Sequence, residues 1–160
     1  MDSYQSLVVA RVLHVIGVVL WIGGVAFVTT VLIPALRKHP DKQQRMMLFE
    51  TLEGRFGNQA KIITLITGLS GFFMLEAMNA WERYLQPSFW WVHAMTLIWL
   101  LFTLVLFVLE PLVLHRWFHQ QARQDSDGSF RALHRMHYLL LGLSIITIAG
   151  AVSGVRGWYL

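Results

Sequence analysis

The sequence predicts an all-α integral membrane protein built as a bundle of four transmembrane helices. Three observations lead there. The chain of 160 residues is 56% hydrophobic and only 14% charged. Its apolar residues collect in four long runs, at roughly 7–36, 62–80, 89–109 and 138–155. None of these runs shows the short two-residue alternation of a membrane barrel. At ~1.5 Å rise per residue each run is long enough to cross ~30 Å of hydrocarbon. In lipid only helices and closed barrels satisfy their own backbone groups, so helices are the spanning element.

The elements follow in order within one domain, 1–160. Helix 1 is expected over about 6–36, with Pro34 where it leaves the bilayer. The segment before it, MDSYQSLVVAR, is barely basic, and no small-residue cleavage site follows a short apolar core, so the run reads as a helix and not as a signal peptide. Residues 41–56 can form an interfacial amphipathic helix presenting Met46, Met47, Phe49 and Leu52, with Gly54 and Gly57 ending it around Arg55. Helix 2 is expected over about 58–80. The stretch AWERYLQPSFWW supplies the Trp and Tyr of an interfacial belt. Helix 3 runs over about 88–118, through Glu110 and Pro111. QARQDSDGS reads as a linker, and helix 4 spans about 130–157. Short connections make neighbouring helices antiparallel.

Charge sets the topology. Ten of the thirteen Lys and Arg residues lie between the first and second or the third and fourth apolar runs, leaving Arg11, Arg83 and Arg156 on the other side. Read as positive-inside, both termini face the outer, periplasmic side of a bacterial inner (cytoplasmic) membrane. The net charge of +4 is then topology and implies no nucleic acid. There is no cysteine, which excludes disulfides, iron–sulfur clusters and thiolate copper sites.

Polar groups inside a membrane are costly and point to function. His14 on helix 1 and His93 on helix 3 lie about equally far below the outer surface, on helices that run in the same direction. Two imidazoles at one level are a reasonable axial pair for haem iron. His14, Gly17, Trp21, Gly24 and Val28 share one face, where glycine would clear space for a macrocycle and the indole would pack its edge. Helix 2 carries a similar stripe through Gly68, Gly71 and Met78. At the inner end, His134 and His137 lie three residues apart on helix 4, and His115 and His119 lie at the end of helix 3. His137, partnered by His115, is the expected ligand of a second haem; alternatively the inner histidines and arginines meet lipid phosphates. Glu76 near the outer end of helix 2 can accept from a ligand histidine or pair with Arg11.

These motifs carry a resemblance. LHVIGVVLWIGGVAFVTTVLIP resembles the first helix of the CopD-like and membrane protoporphyrinogen-oxidase-like four-helix proteins, which reads LH…W.GG…P. Phe49, Leu52, Glu53, Arg55 and Phe56 match the loop motif F..ME.RF, and Trp91-Val92-His93-Ala94-Met95 is similar to W.HAK of the third helix. The resemblance implies a haem b protein with His14 as axial ligand, His93 close by and Arg55 in the cofactor-binding set. Met95 stands where the oxidase pattern has lysine, which argues against protoporphyrinogen oxidation. Met95 could instead offer a weak thioether ligand, but two residues from His93 it is off that face and reads as a packing residue.

The expected function is therefore that of a b-type cytochrome with one haem b, or two, in electron transfer or quinone redox chemistry. Its partners would be membrane lipid, a quinone or redox protein, and a second copy of the chain. The alternative is a transporter or partner subunit handling copper or haem. Copper would use methionine pairs, of which Met74 and Met78 are the transmembrane one.

Overall fold

A computed structural model describes residues 3–114 and 126–157, and side chains outside 111–126. The described residues are all helical apart from turns. Helix α1 (Ser3–Arg37), α2 (Lys42–Ala77), α3 (Trp90–Leu114) and α4 (Ser126–Val155) follow in order. Two short 3₁₀ turns, Trp81–Leu85 and Pro87–Phe89, join α2 to α3. All four helices are long and apolar enough to cross a membrane. Their outer faces require an apolar solvent: Leu69 is 69% exposed and Leu97 66% exposed.

The contacts fix the helix directions. Gly17 meets Thr67 and Gly24 meets Phe56, so α1 and α2 are antiparallel. Gly68 meets Trp99 and Gly57 meets Glu110, so α2 and α3 are antiparallel as well. Packing is most extensive between α1 and α2 and between α3 and α4, while α1 and α3 face each other across the bundle axis. One end of the bundle carries Ser3, Gly157 and the turns between α2 and α3; this is the terminal end. The other, the loop end, carries the turn from Arg37 to Lys42.

Both α1 and α3 widen into π-helical turns, at Val28–Leu32 and Val105–Leu114. Pro34 and Pro111 explain the placement. A proline offers no N–H to the residue four before it, and its ring crowds that carbonyl, so the ladder loosens there. In α1 the hydroxyls of Thr29 and Thr30 also donate to Val25 (2.6 Å) and Ala26 (2.8 Å), which favours bending.

Helix α2 departs from expectation. The break predicted around Gly54 and Gly57 is absent, and one helix of 36 residues runs from Lys42. Asp41 caps its start, Oδ1 accepting from the Gln43 and Gln44 amides at 2.8 and 3.2 Å. A glycine inside a helix costs only about 1 kcal/mol, which packing readily exceeds. Here Phe49 is 2% exposed and joins Val28, Ile33, Leu36, Phe130 and Leu133 in a core. Met46 packs on that core, whereas Met47 and Leu52 are exposed. Helix α4 likewise starts at Ser126, four residues earlier than predicted, so the end of the presumed linker is helical. Its first turn is held by Arg45, a 3% exposed side chain whose Nη2 donates to Asp127 Oδ1 at 2.8 Å. The α2 terminus is closed by Asn79 at φ 48°, a left-handed position that asparagine tolerates.

Candidate functional site

A cavity of about 600 Å³ lies among all four helices in the terminal half of the bundle. That size suits a small molecule or cofactor. Its wall is predominantly apolar and includes Val18, Ile22, Leu75, Val92, Ile98 and Ile148. The hydroxyls on the wall are already engaged: that of Tyr84 bonds Thr96 Oγ1 at 2.6 Å, and the other four donate to carbonyls of their own helices. Thr67 donates to Ile63 (2.8 Å), Ser144 to Leu140 (2.7 Å), Thr147 to Leu143 (2.8 Å) and Thr96 to Val92 (3.0 Å). Arg83, in the first 3₁₀ turn, and Arg156, just past α4, line the cavity at its terminal end.

Among the described residues His14 is the one histidine on this wall. Its Nδ1 lies 2.9 Å from the Thr67 carbonyl, which can only accept, so Nδ1 carries the proton. Ser70 Oγ sits 3.4 Å away on the same side and donates to Ile66 at 2.7 Å. In the neutral ring Nε2 then holds the lone pair, and among the described residues it has no hydrogen-bond partner. A backbone carbonyl fixing one nitrogen while the other remains a Lewis base is the arrangement of a metal-bound histidine. Gly71 makes the ring position accessible: a Cβ there would lie 3.1 Å from His14 Cε1.

The floor of the cavity fixes the direction of the helices above it. Trp21 of α1 and Phe102 of α3 meet edge to face, with centroids 4.8 Å apart. Ile22, Val25, Ile98, Leu140 and Leu141 surround them. The Trp21 indole N–H is buried and has no partner among the described residues. Seven residues of α-helix return to the same face within about 20° and rise about 10.5 Å. His14 is seven residues from Trp21 and Met95 is seven from Phe102, on helices that run the same way. Both residues line the cavity. His14 and Met95 therefore stand at about the same height on the cavity wall, two turns above the Trp21–Phe102 contact.

An independent contact agrees on depth. Trp99 packs on Gly68 and donates its Nε1–H to the Thr64 carbonyl at 2.9 Å. One turn toward the terminal end from this contact lie Gly71, beside His14, and Met95.

His93 is nine residues from Phe102, about 180° round the helix. Accordingly it is exposed and off the cavity wall, contrary to the expected pairing with His14. Its Nε2 contacts the Tyr84 carbonyl at 3.0 Å, its Nδ1 is 3.4 Å from the Phe89 carbonyl, and its ring stands edge-on to Tyr84. It staples the first 3₁₀ turn to α3. The level match was legible in sequence, but the rotation was not.

The glycines read as clearance for a macrocycle are filled by neighbouring side chains. Gly17 gives its space to the Thr67 hydroxyl, Gly24 to the Phe56 ring and Gly68 to Trp99. Gly150 and Gly154 take Trp90 and Trp91, docking α3 on α4. Gly17 is thus a close-packing residue beneath His14, off the cavity wall, while Trp21 does form part of that wall. Small residues at helix crossings play this role generally in membranes.

The remaining candidates lie elsewhere. His134 donates from Nε2 to the Thr29 carbonyl at 2.8 Å, and its Nδ1 lies 3.4 Å from Arg37 Nη1. Thr29 belongs to the π-helical turn of α1, so His134 satisfies a carbonyl in a loosened ladder. With both nitrogens engaged, it is a packing residue. His137 is half-buried and turns Nδ1 to the Leu133 carbonyl of its own helix at 3.0 Å; His115 and His119 lie outside the described residues. Arg55 is exposed on α2, and Glu76 accepts from the Trp81 indole at 2.7 Å rather than from a histidine or Arg11. Among the described residues no group of three or more His, Asp or Glu side chains converges as a bare metal site requires. Comparison with protein-family models, with curated proteins and with solved structures gives no match to this chain.

Proposed function

We propose that the chain is a b-type cytochrome of a bacterial inner membrane, holding haem b in the terminal-half cavity with His14 as an axial ligand. The observation that carries this reading is the His14 ring: Nδ1 tied to the Thr67 carbonyl, Nε2 without a partner among the described residues, on the wall of an apolar cavity. Haem b is apolar over its faces and anionic at its carboxylates. The apolar wall suits the former, and the guanidiniums of Arg83 and Arg156 complement the latter. When bound, the haem supplies one-electron transfer. The protein's part is to orient a neutral imidazole, exclude water through the apolar wall and close the floor with Trp21 and Phe102. The basic residues at the loop end support an orientation with both termini outside, so the cavity lies in the outer half and exchanges electrons there with a quinone or redox partner.

A second reading rests on a separate observation. Met74, Met78 and Met95 line the same cavity as His14, and thioethers with imidazole are soft donors that suit Cu(I). One experiment separates the two. The protein, purified in mild detergent from cells supplied with haem precursor, is read by a reduced-minus-oxidised spectrum and by elemental analysis. A b-type band with about one haem per chain is expected. Copper in place of iron, without that band, favours the second reading, and a colourless protein with neither metal overturns both.

A further inference from the structure

We infer that the thioether of Met95 is the second axial ligand, so that the site is a high-potential His/Met site and not a bis-histidine one. This rests on the haem reading above and goes further, because that reading requires only His14. The argument is geometric. Trp21 and Phe102 touch across the bundle axis at 4.8 Å between centroids. One heptad toward the terminal end on each helix stand His14 and Met95, on the same faces and at the same height. Both segments are regular α-helix over this interval, because the π-helical turns begin only at Val28 and Val105. His93, about 180° from the Phe102 face, is committed to the first 3₁₀ turn through the Tyr84 carbonyl.

Chemistry supports the same choice. The hydroxyls on the wall are engaged, those of Thr67, Thr96, Ser144 and Thr147 with carbonyls of their own helices and that of Tyr84 with Thr96 Oγ1 at 2.6 Å, so a thioether is the remaining donor opposite His14 at that height. Met74 and Met78 also line the cavity but belong to α2 and its C-cap, the helix that already holds His14 through Thr67. A methionine ligand raises the reduction potential relative to histidine. It also occupies the sixth position, so an added small ligand must displace it.

The test uses detergent-purified full-length protein carrying haem: wild type, Met95→Leu, Met95→His and His93→Ala. Leucine conserves the volume, which keeps folding out of the comparison, and histidine restores a ligand at the same place. Readouts are the midpoint potential from a spectroscopic redox titration and carbon monoxide binding to the reduced protein. The expected results are no carbon monoxide complex in the wild type or in His93→Ala, and a stoichiometric complex in Met95→Leu. Met95→His should again exclude carbon monoxide but titrate at a lower potential than wild type. Haem retained in Met95→Leu with unchanged potential and no carbon monoxide complex overturns the ligand assignment alone. So does a six-coordinate wild type that opens to carbon monoxide on His93→Ala. A wild type without haem overturns the underlying reading, and this inference with it.

Discussion

His14 and His134 are both half-buried histidines at helix contacts, in opposite halves of the bundle, and they spend their ring nitrogens differently. His134 uses both, one on the Thr29 carbonyl and one toward Arg37. His14 uses one, on the Thr67 carbonyl; its other nitrogen has no hydrogen-bond partner among the described residues, and the residue lines an apolar cavity. The halves around them follow the same division. The loop half is closed by Phe49 against Phe130, by the buried Arg45 on Asp127, and by Lys61 on Glu110 at 3.4 Å. The terminal half keeps about 600 Å³ open among the same four helices. Residue type and depth in the membrane are common to the two histidines; the number of committed nitrogens and the place on the cavity wall are not, and His137, which also commits one nitrogen, does so to its own helix and lies off that wall.

The comparison can be broken most forcefully in the loop half. Arg45→Ala removes the Asp127 contact and the cation stacked 4.9 Å over Phe130, and it leaves a void at a 3% exposed position. Thermal unfolding in detergent should fall by roughly 5–10 °C, the range for losing a large buried side chain in a chain of this size. An unchanged transition would mean that α2 and α4 are not joined there. Next, Gly68→Ala drives a methyl into Trp99, a ring that cannot retreat while its N–H is held by the Thr64 carbonyl. A loss of about 1–3 kcal/mol is expected, whereas Gly23→Ala, with open space at its Cβ, serves as the near-neutral control. His134→Ala strands the Thr29 carbonyl and should cost about 1–3 kcal/mol while leaving any haem spectrum as it was. Smallest is Gly71→Ala. Its methyl would sit 3.1 Å from His14 Cε1 and must shift the ring by a few tenths of an ångström. Haem should be retained with a displaced absorption maximum, and an identical spectrum would show that Gly71 does not set the ring.

Much of this architecture is legible in the sequence, for definable reasons. Hydropathy gives four spans because a spanning helix needs about 20 apolar residues whatever its neighbours are. The depth of His14 follows from counting residues from the end of its run. What sequence does not carry is rotation. At about 100° per residue, the two-residue step from His93 to Met95 exchanges the outside of α3 for its inside. Only a tertiary contact such as Trp21–Phe102 resolves which is which. The α2 start departs from the sequence expectation for a related reason, since Gly54 and Gly57 break an isolated helix but not one anchored by Phe49 in a core and capped by Asp41. The glycine stripes were real, but their use depended on partners four helices of sequence cannot rank: Thr67, Phe56 and Trp99 occupy the room that a macrocycle was expected to need. With that contact in hand the sequence becomes readable: the seven-residue interval from His14 to Trp21 is repeated from Met95 to Phe102, which favours methionine over histidine.

The haem-to-protein ratio of His14→Ala beside His134→Ala, both purified like the wild type, tests the central claim most directly. The account predicts about one haem per chain in the wild type and in His134→Ala, and none above background in His14→Ala at normal yield of folded protein. Haem retained in His14→Ala, or lost equally from both variants, would contradict it.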